Sequence, residues 1–265
     1  MTAFTRAAES LFTMLAARKT KDLSAKLPPG QRLYAIGDIH GRMDCLTDLL
    51  EKIALHRRSY KGHVTIVFLG DYIDRGPSSR EVLSLLSDKN LAEALLADEI
   101  IFLRGNHEDV LLHFLEDPTI GPEWATFGGL DTLASYKALS HLPSSSSEWA
   151  AVSKSLSNAI PLEHQEFLRA TTFSFSKGGY FFAHAGLQPG IALEHQRPRD
   201  LMWIRDTFTH DRRNHGAVVV HGHCPANAPQ SRHNRIGIDT GAYASGRLTS
   251  LALEENRIEF LFSDS

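Results

Sequence analysis

Short apolar runs that end in polar turns recur along the chain and predict buried strands. The runs occupy residues 33–36, 64–69, 100–103, 180–183 and 218–220. Each run is followed by a turn that carries Asp, His or Asn. Because the runs are continuous rather than alternating, we expect strands that are covered on both faces.

Helical periodicity fills the gaps between the first runs. Residues 45–56, 79–88 and 108–116 place their apolar side chains at helical spacing. Strand and helix therefore alternate, which is typical of a layered α/β domain. The polar turns follow the carboxyl ends of the strands, where open α/β sheets bind their ligands.

The later part of the chain has a different pattern. Residues 117–178 show no clear strand, contain a serine-rich stretch at 144–147 that we interpret as a loop, and predict helices at 124–136 and 161–170. We expect a helical cap inserted between two core strands. Residues 236–239, 248–254 and 257–262 then predict strands, the last two joined by a turn at Asn256.

These patterns divide the chain into an N-terminal arm at residues 1–30 and one α/β domain at residues 31–265. The cap is an insertion in that domain at residues 117–178. Residues 1–27 hold five basic and two acidic side chains. We interpret them as a helix docked on the domain or a frayed arm, in preference to a basic helix that touches a membrane surface.

Composition narrows the class of protein. Of the 265 residues, 42% are hydrophobic and 22% charged, which excludes disorder as the global state. The formal net charge of −3 argues against a general nucleic-acid binder. Two cysteines cannot build a disulfide framework, which favours the cytoplasm, and no apolar run reaches the roughly 20 residues that span a bilayer.

The polar side chains of the turns have the chemistry of a metal site. Imidazole, carboxylate and amide ligands without thiolate suit Mn, Fe or Zn in a hydrolytic centre. Asp38 and His40 are two apart, so one turn can offer two ligands to one ion. The candidates are Asp38, His40, Asp71, Asp74, Asn106, His107, His184, His221 and His223.

Asn106 and two arginines indicate the substrate class. The Asn106 amide binds a metal without cancelling its charge, so two divalent ions that share Asp71 would keep a net positive charge. Arg75 and Arg104 would add to that surplus, which suits a phosphate dianion. Two neighbouring ions are the usual clamp for in-line displacement at phosphorus. Between the two late histidines we favour His223 over His221 as the ligand.

Together these turns closely resemble the phosphoprotein phosphatase family of metallophosphatases. That family carries G-D-x-H-G, G-D-x-V-D-R-G and G-N-H-E, then His-Gly-Gly or His-Ala-Gly, and a late His. The matching segments here are residues 37–41, 70–76, 105–108, 184–186 and 222–223, with Ile73 where Val is commoner. The resemblance covers about residues 31 to 262 and implies a calcineurin-like fold, a central β-sandwich flanked by helices.

The resemblance also implies a role for each matching residue. The first metal would be held by Asp38, His40 and Asp71, and the second by Asp71, Asn106, His184 and His223. Phosphate would be bound by Arg75, Arg104 and, from the bacterial branch, Arg205. His107, oriented by Asp74, would be the general acid while a hydroxide that bridges the metals attacks phosphorus. We expect two divalent ions, Mn²⁺ first, with Fe, Zn or Co accepted by the same ligands.

Two substrate branches of the family compete. One is the bacterial Ser/Thr protein phosphatase type, which acts on phosphoserine and phosphothreonine and plausibly on phosphotyrosine and small phosphate esters. The other is the symmetrical diadenosine tetraphosphate hydrolase, which usually has G-N-H-D. Glu108 favours the protein phosphatase.

Two further classes are less well supported. A catalytically inactive phosphate-binding module would not need every ligand to be present. A nuclease would not need two arginines directed at a terminal phosphate, and the net charge argues against long nucleic acid. The expected partner is therefore a phosphoprotein or a small phosphorylated molecule, with no stable nucleic acid; the sequence leaves the oligomeric state open.

Overall fold

A computed structural model describes residues 25–264 of the chain. The predictions for residues 1–24, including the helical arm, lie outside the described residues. Ala25 and Leu27 are buried, and the Leu27 N–H donates to the Glu255 carbonyl at 3.0 Å. The residues that lead into the first strand are therefore packed on the domain.

Two five-stranded mixed sheets form the centre of the molecule. The strands are β1 (Gln31–Ile36), β2 (His63–Phe68), β3 (Glu99–Phe102), β4 (Ser174–Lys177), β5 (Tyr180–Ala183), β6 (Val218–His221), β7 (Gln230–Ser231), β8 (Arg235–Gly237), β9 (Thr249–Glu254) and β10 (Arg257–Phe262). The first sheet has the order β10-β9-β1-β2-β3 and the second β4-β5-β6-β8-β7. Within each sheet three neighbouring strands run parallel, and antiparallel strands complete it.

Helices follow or connect these strands. The helices are α1 (Met43–Arg57), α2 (Ser79–Leu86), α3 (Leu91–Ala94), α4 (Asn106–Glu116), α5 (Gly121–Thr126), α6 (Gly129–Ser135), α7 (Ser146–Ala159), α8 (Leu162–Ala170), α9 (Pro198–Trp203), α10 (Asp206–Thr209) and α11 (Ala242–Ser245). Short 3₁₀ turns lie at Pro118–Ile120 and Leu193–His195.

The strands are covered on both faces, as their continuous apolar runs predict. In β1, Leu33 and Ala35 face the second sheet, in a core that also holds Phe182 and Val220. Their neighbours along β1, such as Tyr34, face the opposite way and pack against helices. The prediction of a central β-sandwich flanked by helices is confirmed.

The cap segment differs from its prediction in three places. Residues 124–136 form two helices, because Gly128 between them has a φ of 102°. The serine stretch begins helix α7, and the Ser145 hydroxyl caps it by accepting from the Glu148 N–H at 3.3 Å. The cap was expected to contain no strand up to residue 178, but residues 174–177 form strand β4. The last helix of the cap ends at Ala170.

The cap helices pack into the same core as the helices that cover the first sheet. Trp124, Trp149 and Leu168 share that core with Ile66 and Phe114. No helix within residues 25–264 is long and apolar enough to cross a membrane. The fold thus gathers the loops after β1, β2, β3, β5 and β6, and these loops carry the candidate residues.

Candidate active site

Asp71 lies at the centre of the gathered loops and its two carboxylate oxygens face different histidines. Oδ2 is 3.5 Å from His40 Nε2 and 3.8 Å from His107 Nε2. Oδ1 is 3.4 Å from His184 Nε2. One carboxylate therefore joins two clusters, which is the geometry expected of a residue shared by two ions.

The first cluster contains His40, Asp71 and His107, whose candidate ligand atoms lie within 4.8 Å of one another. His40 Nδ1 donates to the Ile73 carbonyl at 2.8 Å. That hydrogen bond leaves the Nε2 lone pair directed at the cluster. Burial lowers the pKa of His40 to about 3, so the imidazole is neutral, as a metal ligand must be.

The second cluster contains Asp71, His184 and His223, again within 4.8 Å of one another. His184 Nδ1 donates to the Leu69 carbonyl at 3.0 Å, which leaves Nε2 with its lone pair. That Nε2 is 3.0 Å from Asn106 Oδ1 and 3.2 Å from His223 Nδ1. The structure therefore brings together all four residues expected to hold a second ion.

The surroundings of the Asp38 carboxylate show whether the two clusters suit cations. Its Oδ2 accepts the His223 N–H at 3.0 Å, whereas its buried Oδ1 has no hydrogen-bond partner within the described residues. Burial and the carboxylates of Asp239 and Asp71 raise the pKa of Asp38. A bound cation would relieve both the missing partner and the repulsion, so the donor set fits divalent metal ions.

Backbone strain is concentrated in these loops. Within the described residues, eight side-chain-bearing residues have a positive φ, and five of them belong to the predicted site. The five are His40, Asp71, Asp74, Arg75 and His223. Glycines make the close approaches possible: a Cβ on Gly222 would lie 1.9 Å from Asp38 Oδ1, and one on Gly105 would lie 2.1 Å from Asp71 Oδ1.

His107 has the surroundings of a general acid. Its Nδ1 is 2.7 Å from Asp74 Oδ2, and its Nε2 faces the centre. Burial lowers the pKa of His107, but the carboxylates of Asp71 and Asp74 outweigh burial and raise it. The imidazole therefore holds a proton more tightly than an ordinary histidine, as a group must that donates to a leaving oxygen.

Two cap helices hold Asp74 in place. The Trp124 indole donates to Asp74 Oδ2 at 2.9 Å, and the Thr132 hydroxyl donates to Oδ1 at 2.5 Å. Asp74 is fully buried and belongs to the strained loop after β2. The cap thus fixes the carboxylate that is hydrogen-bonded to His107. Sequence reasoning placed residues 124–136 in a helix but did not predict these two contacts with Asp74.

Glu108 anchors the loops and does not face a substrate. Its carboxylate is fully buried and accepts the N–H groups of Asp71, Tyr72 and Gly105 at 2.8 to 2.9 Å. Burial raises its pKa to about 7. Because the side chain is used entirely on backbone groups, any influence of Glu108 on the choice of substrate would act through the loops that it holds.

Of the three predicted phosphate arginines, Arg75 is the one that contacts the clusters. Its Nη1 is 3.0 Å from His40 Nε2 and its Nη2 is 3.2 Å from His107 Nε2. Its backbone N–H donates to the Gly128 carbonyl at 3.2 Å. Arg75 is therefore placed where a phosphate at the centre would need its charge.

The other two arginines have different surroundings. Arg104 donates to the Thr171 hydroxyl and to the carbonyls of Leu168 and Arg169, so its guanidinium ties the cap to the loop after β3 rather than facing the clusters. Arg205 is exposed, and after burial and His184 its charge also lowers the pKa of the nearby His223. Arg205 lies beside the site, whereas the hydrogen bonds that Arg104 makes within the described residues go to the cap.

Tyr243 is a site residue that sequence reasoning missed. Its ring centroid is 4.7 Å from the Arg75 guanidinium carbon and 5.4 Å from the His40 ring centroid. It remains 38% exposed, so it borders the opening of the site. The sequence signal was only a tyrosine shortly after the predicted strand at residues 236–239, which is too common to single it out.

Comparison with known proteins agrees with this geometry. Asymmetrical bis(5′-nucleosyl)-tetraphosphatase PrpE of Halalkalibacterium halodurans is 29% identical over 245 residues, which cover 85% of this chain and 91% of that protein. PrpE of Bacillus subtilis is 27% identical over 241 residues, covering 83% and 90%.

Solved structures share the fold. The crystal structure of a protein proposed to be a diadenosine tetraphosphatase superposes with a TM-score of 0.58 at 21% identity, covering 91% of this chain and 99% of that one. A cold-active protein-tyrosine phosphatase of Shewanella superposes with a TM-score of 0.56 at 15% identity, covering 90% and 83%.

The family model for calcineurin-like phosphoesterases matches residues 31–263, which include both sheets and every predicted site residue. Its metal-binding chemistry is consistent with the two His/Asp clusters. The chain therefore belongs to the calcineurin-like phosphoesterase family.

Proposed function

We propose that the chain is a two-metal phosphohydrolase that acts on phosphate monoesters, above all phosphoserine and phosphothreonine in proteins. The observation that supports this most is the buried pair of His107 and Asp74 beside the shared Asp71. A positioned general acid accelerates the loss of a poor leaving group by about 10²–10⁴-fold. An alkoxide leaving from a phosphoserine needs that proton, whereas a nucleotide phosphate leaving from an anhydride does not.

Each predicted residue then has a task. The first ion would be held by Asp38, His40 and Asp71, and the second by Asp71, Asn106, His184 and His223. Ions bound there would lower the pKa of a water molecule and neutralise phosphate charge, with Mn²⁺ as the first candidate. Arg75 and Arg205 would bind the phosphate oxygens, and Arg104 would hold the loop after β3 against the cap. His107 would donate its Nε2 proton to the leaving oxygen while Asp74 stabilises the charged ring.

A second candidate is asymmetrical hydrolysis of bis(5′-nucleosyl) tetraphosphates. The names of the relatives from Halalkalibacterium halodurans and Bacillus subtilis favour it. It replaces the symmetrical cleavage considered from sequence alone, and the products separate the two: ATP and AMP from asymmetrical cleavage, two ADP from symmetrical cleavage.

The test is a direct comparison on protein stripped of metal and refilled with Mn²⁺. We would measure kcat/KM for a phosphoserine peptide and for diadenosine tetraphosphate, with Asp71→Asn as the inactive control for contaminating phosphatases. Preference for the peptide supports the protein phosphatase proposal. Preference for the dinucleotide, with ATP and AMP as products, replaces it with the second candidate. Hydrolysis of neither by protein that holds metal would contradict both and favour a phosphate-binding module.

The remaining assignments are proposals of the same kind. We propose a cytoplasmic location, and one domain over residues 31–265 with residues 1–30 as an arm. The cap lies within that domain because its helices share the core of the first sheet's helices.

A further inference from the structure

A cavity of about 410 Å³ lies beside the metal clusters, at the end of the second sheet. Its wall includes Cys224, which directly follows His223, and Asp239, whose carboxylate raises the pKa of Asp38. The cavity therefore borders the active site but is formed by residues to which the mechanism assigns no role. Its volume is within the range of about 300–1,000 Å³ that small ligands occupy.

Arg235 is the unusual residue in that wall. The side chain is only 5% exposed and its buried Nε has no hydrogen-bond partner within the described residues. Its Nη1 is 3.2 Å from His221 Nε2, and its Nη2 donates to Gln230 Oε1 at 3.2 Å. In the part of the chain that the structure describes, no carboxylate lies within ion-pair distance of Arg235. A buried charge without a counter-charge is costly, so an anion bound beside Arg235 would stabilise it.

His221 holds the guanidinium as a neutral acceptor. Its Nδ1 is 3.0 Å from the Gly222 carbonyl, to which it donates, so Nε2 carries the lone pair that accepts from Arg235. A Cβ on Gly237 would lie 3.1 Å from the His221 ring. The glycine leaves room for this pair, which accounts for a buried histidine that the metal clusters do not use.

More positive charge surrounds the cavity. Arg212 and Arg232 line it with exposed side chains, and both lower the pKa of Arg235, as does its burial. Three aspartates, Asp206, Asp211 and Asp239, line the same wall, so the formal charges of the wall balance and what matters is where each carboxylate is directed. Asp211 is paired with Arg213, Asp239 accepts the Gly241 N–H at 2.8 Å, and Asp206 is exposed.

We propose that this cavity is a second oxyanion site, which binds a phosphate group other than the one held at the metal clusters. Arg235 would supply the buried half of the contact, and Arg212 and Arg232 would close on it from the surface. The phosphate is either free or a distal phosphate of the substrate, and either source presents the same oxygens to the arginines.

The test counts bound phosphate by equilibrium dialysis of the Mn²⁺-loaded protein against radiolabelled inorganic phosphate. We expect two phosphates per chain in the wild type and one in Arg212→Ala/Arg232→Ala. Both substituted side chains are exposed, so folding should survive. Arg247→Ala/Arg257→Ala changes the net charge equally at exposed positions outside the cavity, and it should still bind two.

Kinetics then separate the two sources. If the cavity binds a distal phosphate of the substrate, kcat/KM for diadenosine tetraphosphate falls about tenfold in Arg212→Ala/Arg232→Ala, while that for p-nitrophenyl phosphate changes less than about twofold. If the cavity binds free phosphate, one phosphate is lost while both substrates keep their wild-type kcat/KM. Either result supports the oxyanion site.

A wild type that binds a single phosphate would overturn the proposal, as would a variant that keeps two. Counting bound phosphate does not require catalysis. The cavity can therefore be shown to bind phosphate even if the proposed hydrolysis of phosphomonoesters fails.

Discussion

At the scale of single residues, the proposed acid–base chemistry depends on the hydrogen bond between His107 Nδ1 and Asp74 Oδ2. Asp74 in turn accepts from Trp124 and Thr132, so its carboxylate has no freedom to turn away. The arrangement fixes the ring and directs Nε2, the atom that would deliver the proton in the proposed mechanism, at the centre.

We expect His107→Asn to remove that proton while keeping the bound metal. The loss in kcat should be about 10²–10⁴-fold for a phosphoserine peptide and much smaller for p-nitrophenyl phosphate, whose leaving group is already acidic. Steady-state kinetics with both substrates and a metal analysis measure this. Equal losses for the two substrates would contradict the role of His107 as acid.

Tyr243 positions Arg75 through the face of its ring. A cation–π contact at a partly exposed site contributes about 0.5–1 kcal/mol. Tyr243→Ala should therefore reduce kcat/KM about twofold to fivefold, and Tyr243→Phe should restore it because the ring remains. A defect in Tyr243→Phe as large as that in Tyr243→Ala would show that the hydroxyl, not the ring, matters.

At the scale of elements, the break between α5 and α6 positions Arg75, the proposed phosphate ligand. Gly128 has a φ of 102°, and its carbonyl accepts the N–H of Arg75. A Cβ at this position would lie 2.7 Å from the Arg75 N and Cγ atoms. The cap helices thus contribute to the site through this one close approach.

Gly128→Ala should consequently lower both stability and activity. The left-handed backbone alone costs about 1–2 kcal/mol with a side chain, and the contact with Arg75 adds to that. Gly216→Ala is the matched control, because Gly216 has a φ of 83° and nothing within 4 Å of its added Cβ. Chemical denaturation should find both variants destabilised, with kcat/KM reduced only in Gly128→Ala. A normal kcat/KM in Gly128→Ala would contradict the positioning role.

Elements with strong periodicity were predictable from sequence, and those fixed by local contacts were not. The runs at 64–69 and 218–220 form strands because both of their faces are buried. The Ser145 cap of α7 and the left-handed turn at Gly128 depend on single hydrogen bonds and close contacts. In the sequence alone, a run of serines or a pair of glycines is equally compatible with a loop. Neither the cap of α7 nor the turn at Gly128 was therefore predictable.

The site was predictable as a set of residues, but its geometry was not. Two sheets bring the loops after β1 and β6 together, although Asp38 and His223 are far apart in sequence. His221 and His223 differ because the strand ends at His221 and His223 has a φ of 62°. Arg104 is directed into the cap by three hydrogen bonds to residues whose position depends on the whole fold.

At the scale of the whole molecule, metal binding should stabilise the fold. The clusters join loops from both sheets, so ions bind the folded state and not the unfolded chain. At a concentration one hundred times the Kd, a ligand adds about 2.7 kcal/mol to the free energy of unfolding. Thermal denaturation with and without Mn²⁺ should show a higher Tm for the loaded protein, and an unchanged Tm would argue against ions that link the sheets.

The most direct test of the two-ion centre is the number of metal ions per chain, measured together with the rate of phosphomonoester hydrolysis. Asp71 faces both clusters with different oxygens. We predict two Mn²⁺ per chain in the refilled wild type, activity that disappears on chelation, and loss of both metal and activity in Asp71→Asn. Full hydrolysis by the chelated protein, or two ions retained in an active Asp71→Asn, would contradict the account.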